Sequence, residues 1–198
     1  MLNLQLLIAC MSATLKFMEK LFAHLPEPRS ITSVYAVAVF MVYSWTLLAS
    51  FWKVPSWLFF LKIREILSVY AYAFVIDFAE SLVLLFFMLL VGLLLPRRWW
   101  NVEFKAFGTL WIIVLMGSMM LQLYTNRAPE GWEEFVYGKW TWWGYTVLLG
   151  FALSMAFARL AWLRKGLESL SERLVVFLYL YLPLTVLSIF VVVARVLF

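Results

Sequence analysis

Apolar residues fill long blocks of this chain, and polar residues gather in the short breaks between them. A bilayer core takes about 20 helical residues to cross. Blocks of about that length or longer lie at 34–52, 66–95, 104–124, 141–162 and 174–196. A backbone in lipid must satisfy its own polar groups, so each block is expected as a helix. The breaks are short, which predicts that helices adjacent in sequence are antiparallel neighbours. The pattern therefore predicts an all-α fold, a polytopic membrane helix bundle of five transmembrane helices. An N-terminal interfacial amphipathic helix over 1–24 precedes them, and 1–198 form one membrane domain.

That first segment is apolar over 1–15, too short to span. Gln5, Ser12, Lys16 and Glu19 recur at helical spacing and form one polar stripe, as in a helix lying in the interface. A cleaved signal peptide is the rival reading, although basic residues do not precede the apolar run as they do in such peptides. Crossing by 1–15 is a third. Pro26 and Pro28 end the segment. After the first block, Lys53-Val54-Pro55-Ser56-Trp57 makes a turn, and Ser56 is placed to cap a short surface helix over 57–66. Aromatic Tyr35, Tyr43, Trp45 and Trp52 fall toward the ends of the first block. On the fourth block, Gly150, Ser154 and Ala158 recur every four residues, a spacing that lets two helices approach closely in lipid. Pro183 predicts a kink in the fifth block. Thr185 and Ser188 stand near enough to serve backbone groups that the proline frees.

Composition makes lipid the expected solvent. Hydrophobic residues make up 66% of the chain and charged residues 14%, against roughly 45–50% and about 25% in soluble domains. The net charge of +5 comes from residues scattered at block ends. That arrangement suits anionic headgroups, and no nucleic-acid partner is expected. Most of the 16 basic residues fall on the side of the N-terminal segment, Arg97-Arg98 and the turn around Arg164-Lys165. Basic loops stay inside, so the N-terminus is expected in the cytoplasm and the C-terminus outside, in a plasma or inner membrane.

The chemistry available is sparse. With a single Cys and a single His, no disulfide, metal cluster or His-based triad is expected, and no cofactor either. Asp77 and Glu80 stand at i and i+3 in the second block, near Tyr70 and Ser81. Ionisable residues inside a span are functional candidates by default. Counting about 20 residues back from Pro96 puts Asp77 at the outer boundary and Glu80 about 5 Å deeper. Arg195, near the outer end of the fifth block, is a candidate partner for either carboxylate. Arg159, near the inner end of the fourth, is expected to snorkel. Trp132, Glu133, Glu134 and Trp143 combine aromatics with carboxylates, a set able to cage an organic cation or a headgroup.

Three function classes follow. A non-catalytic accessory or structural subunit of a larger membrane assembly, with other membrane proteins as partners beside the bilayer itself, fits the sparse polar chemistry best. A small proton- or cation-coupled transporter would use Asp77 and Glu80. A lipid-handling enzyme would have only the outer glutamate cluster to work with.

Overall fold

The structure, a computed structural model, describes residues 26–94, 104–125, 140–157 and 159–197. These form helices α1 (Pro28–Phe51), α2 (Val54–Phe60), α3 (Ile63–Leu94), α4 (Phe104–Thr125), α5 (Trp140–Phe157) and α6 (Ala161–Leu197). The protein is an all-α membrane helix bundle. Among the described residues α1, α3, α4 and α6 are long and apolar enough to cross a membrane, and α5 is a shorter apolar helix. At 1.5 Å per residue the 18 residues of α5 extend about 27 Å, close to the thickness of a hydrocarbon core.

Local chemistry sets the helix ends. Glu27 is extended, and Pro28 opens α1, where a missing N–H does no harm. Inside the helices the small hydroxyls bond back to their own turn: Ser33 to the carbonyl of Arg29, Ser50 to Leu47, Ser68 to Arg64. Without water, this is how a lone hydroxyl is satisfied. The turn after α1 differs from the sequence expectation. Helix α2 starts at Val54 with Pro55 in its first turn. Ser56 therefore lies inside the helix and does not cap it. The chain breaks again before Ile63, and there Lys62 N–H donates to Glu65 Oε2 at 2.8 Å, half of a capping box.

The last two spans also divide differently. The fourth block was expected to reach Trp162, but α5 stops at Phe157 and α6 begins at Ala161. The charged stretch before 174 thus belongs to α6, which runs for 37 residues with Pro183 inside it. Arg164 and Glu168 pair along this part of the helix, with N and O 3.7 Å apart. Thr185 Oγ1 lies 2.8 Å from the carbonyl oxygen of Tyr181 and Ser188 donates to that of Leu184, and α6 continues through the proline as one element.

Helix α1 is the centre of the bundle. It packs against α6, α3 and α4, while α5 packs on α4. Ala36, Val37, Ala38 and Val39 are consecutive and all buried. Four buried positions in a row cover every side of a helix, so α1 is surrounded at this level. Its small side chains let the neighbours come near. Gly108 of α4 lies so close that a Cβ there would stand 2.8 Å from Met88 of α3 and 3.0 Å from Val34 of α1. Gly150 of α5 faces Val114 and Trp111 of α4, and Ser154, one turn on, is fully buried. Phe107 and Trp111 stack along α4, and Phe151 of α5 meets both edge-on across the same contact. Lys105 at the start of α4 pairs with Glu172 of α6 at 2.6 Å, which ties these two helices together at that end of the bundle.

Candidate functional site

The polar groups inside the bundle form a seam where α1, α3 and α6 meet. Tyr43 of α1 is at its middle. The Tyr43 hydroxyl lies 3.2 Å from the carbonyl oxygen of Phe74 on α3 and within hydrogen-bond distance of Thr185 Oγ1 on α6. Thr185 in turn lies 2.8 Å from the carbonyl of Tyr181. Two hydroxyl protons serve these contacts, so two arrangements exist. Tyr43 donates to Phe74 while Thr185 donates to Tyr43, or Tyr43 donates to Thr185 while Thr185 donates to Tyr181. Tyr43 also stacks on Phe74 and packs against Tyr181, with centroids 5.6 and 4.7 Å away. Its place near the end of an apolar block suggested an interfacial aromatic. It is instead a fully buried junction of three helices.

One turn further along the seam, Thr46 donates to Asp77 Oδ1 at 2.7 Å. Asp77 is buried, 4% exposed, and its other oxygen, Oδ2, has no hydrogen-bond partner among the described residues. Deeper along α3, Ser81 donates to the carbonyl of Phe78 and accepts from the Tyr35 hydroxyl at 3.3 Å.

These contacts fix the register between α1 and α3, and with it the depth of both carboxylates. Asp77 is level with Thr46, and Ser81 with the reach of Tyr35. Glu80 lies between, opposite the middle of α1. Arg29 lies in the first turn of α1 and Lys53 just beyond its last residue, so these charges bracket the apolar length of the helix. Glu80 is then about 18 Å from the level of either residue at 1.5 Å per residue. The sequence count from Pro96 places the pair nearer the surface, because it assumes that α3 leaves the membrane at its last apolar residue. The 32-residue α3 is longer than its neighbours need, and packing against α1 decides which part of it lies at the centre.

The structure also separates the two carboxylates. Residues three apart on a helix point about 60° from each other. Asp77 takes the inward direction, and Glu80 lies exposed on the outer surface of the bundle. A charged side chain at the centre of a spanning helix costs about 2.5–3.5 kcal/mol on insertion scales. A glutamate side chain, no longer than about one helical pitch of 5.4 Å, does not reach the headgroups from that depth.

Arg195 pairs with neither carboxylate. The ion pairs among the described residues are Lys105–Glu172 and Arg164–Glu168. The reason is axial distance. Thr185 is level with Phe74, and Arg195 lies ten residues, about 15 Å, further toward the C-terminal end of α6, while Asp77 lies on the opposite side of Phe74. The Arg195 guanidinium sits 6.0 Å from the Tyr72 ring centroid, at the outer limit of a cation–π contact. Arg159 is exposed in the turn between α5 and α6. Trp132, Glu133, Glu134, Ala158 and the interfacial helix over 1–24 lie outside the described residues, as does the side chain of Trp143.

Sequence reasoning missed Thr46 and the Tyr43–Thr185 link. The available signal was the presence of hydroxyls in otherwise apolar blocks, where an unsatisfied polar group is expensive. Comparison with protein-family models, with curated proteins and with solved structures finds no match to this chain.

Proposed function

We propose that this chain is a non-catalytic integral subunit of a larger membrane assembly. The observation that carries the reading is Glu80, exposed on the outside of α3 at the level of the middle of α1; in a bilayer that is a placement which isolated helices avoid and which a neighbouring subunit would relieve. The polar groups of the interior support it further, since Tyr43, Thr46, Asp77 and Thr185 are engaged in joining helices to one another. The distribution of basic residues favours an N-terminus in the cytoplasm and a C-terminus outside a plasma or inner membrane. The test is purification of the native chain in mild detergent, with mass measured by light scattering. A stoichiometric membrane-protein partner is expected. A chain that leaves its own membrane as a lone monomer overturns the reading.

A second reading is favoured by one atom. Asp77 Oδ2 is buried without a partner, and a carboxylate oxygen in that state can take up a proton or a small cation. A proton- or cation-coupled carrier would then work through Asp77 alone, since Glu80 faces the other way. Flux into proteoliposomes that is lost in Asp77→Asn, with folding intact, is the result this reading requires.

A further inference from the structure

Helix α3 presents a stripe to the outside that matches a helix-packing seam. Ile76, Glu80, Val83, Phe87 and Leu90 follow one another at spacings of four, three, four and three residues. All five are exposed. Apolar residues in a 4-3 repeat form the seam through which one helix packs along another, and a single polar residue within such a seam fixes the register and the choice of partner. Here that residue is Glu80, opposite the middle of α1.

What Glu80 lacks defines what would cover the stripe. The basic residues described on the spanning helices stand away from this level, Arg29, Lys105, Arg164, Lys165 and Arg173 toward one end of the bundle and Arg64 and Arg195 toward the other. No ion pair among the described residues involves Glu80. Lipid headgroups are too far away. A second copy of the same face would set Glu80 against Glu80, like charges at close range. We infer that this face of α3 receives a transmembrane helix of a partner subunit carrying a lysine or arginine at half its depth. The inference rests on the subunit reading above and gives it a surface and a partner chemistry. A basic group opposite Glu80 satisfies both charges in one contact, and the aliphatic positions on either side exclude water and lipid from the pair.

The test uses the full chain in phosphatidylcholine liposomes. The probe is a labelled leucine-alanine host helix with a single central Lys, set against versions with Leu or Glu in that place. Energy transfer between chain and probe reads the affinity. The Lys probe should bind about tenfold or more tightly than the Leu probe. Glu80→Gln should abolish the preference, and Glu80→Lys should transfer it to the Glu probe. Val83→Trp, which obstructs the seam while leaving Glu80 in place, should weaken the Lys probe, whereas Val176→Trp on the outer face of α6 should not. Circular dichroism and gel filtration confirm that each variant folds.

Equal binding of Lys and Leu probes overturns the inference, as does a preference that survives Glu80→Gln. Glu80-dependent transfer between two labelled copies of the chain, with the Lys probe ignored, assigns the face to a second copy and also overturns it. Binding of the Lys probe only after Lys16→Gln or Lys20→Gln assigns the face to the chain's own N-terminal segment, with the same consequence. A native complex that survives both Glu80→Gln and Val83→Trp leaves the subunit reading standing and refutes this interface. A chain that purifies alone refutes the subunit reading itself.

Discussion

Gly108→Ala tests whether α4 meets α1 and α3 as closely as the structure has it. The added Cβ would stand 2.8 Å from Met88 Cε and 3.0 and 3.2 Å from the two methyls of Val34. Carbon pairs prefer about 3.5–4.0 Å, so the neighbours must yield by roughly half an ångström or more. Met88 is flexible but 2% exposed, and Val34 is fully buried. In a helix valine keeps one strongly preferred rotamer. Overpacking of this kind costs about 1–3 kcal/mol, while exchanging glycine for alanine returns about 0.8–1.0 kcal/mol of helix propensity. The net loss should be about 1 kcal/mol, roughly fivefold in the unfolding equilibrium. Gly117 supplies the control, because a Cβ there meets nothing within 4 Å. Propensity cancels between the two substitutions. The difference between Gly108→Ala and Gly117→Ala is therefore the clash alone, about 1–3 kcal/mol, read by reversible unfolding in mixed micelles. Adding Val34→Ala to Gly108→Ala should recover part of it as a favourable coupling. If the two glycine variants shift stability equally, or Val34→Ala brings no coupling, the close contact at the centre of the bundle is wrong.

Tyr43→Phe removes the hydroxyl and keeps the stacked ring. It should cost about 0.6–1.7 kcal/mol, the range of hydrogen bonds between membrane helices, whereas Tyr43→Ala should cost about 3–5 kcal/mol for the missing aromatic; equal costs in the same unfolding assay would contradict the junction. A double-mutant cycle of Thr46→Val and Asp77→Ala, each of which removes one partner of the hydrogen bond, should give a coupling of similar size, about 0.6–1.7 kcal/mol, and additivity would mean that the two side chains do not interact. Exchanging Lys105 and Glu172 by Lys105→Glu with Glu172→Lys should restore whatever either single change loses, and the restoration should fade in high salt because the pair is exposed.

Hydropathy alone made the spanning helices legible, because lipid permits few alternatives to a helix. The faces of those helices were not legible. Helix α3 is apolar all round, and a helix without an amphipathic pattern does not declare which side meets protein. The spacing of Asp77 and Glu80 therefore suggested one shared site, and the 60° between them sufficed to send one inward and the other outward. Register was not legible for a related reason, since the 32-residue α3 is longer than a bilayer core requires and contacts such as Thr46–Asp77 set its level against α1. The start of α6 was hidden by its charges, which read as a loop although Arg164 and Glu168 support a helix at i and i+4. Tyr43 and Thr185 lie 142 residues apart, a pairing that no local pattern announces.

That separation bears on how the protein comes to exist in its membrane. While residues 52–160 leave the ribosome, the side of α1 that will meet α6 has only lipid or the insertion machinery beside it, and the Tyr43 hydroxyl lacks one of its two final contacts. The bundle closes only when the C-terminal helix slides in against a hairpin made long before. Shortened products that stop ahead of Thr185 leave that slot open in the bilayer, with Tyr43 short of its partner on α6.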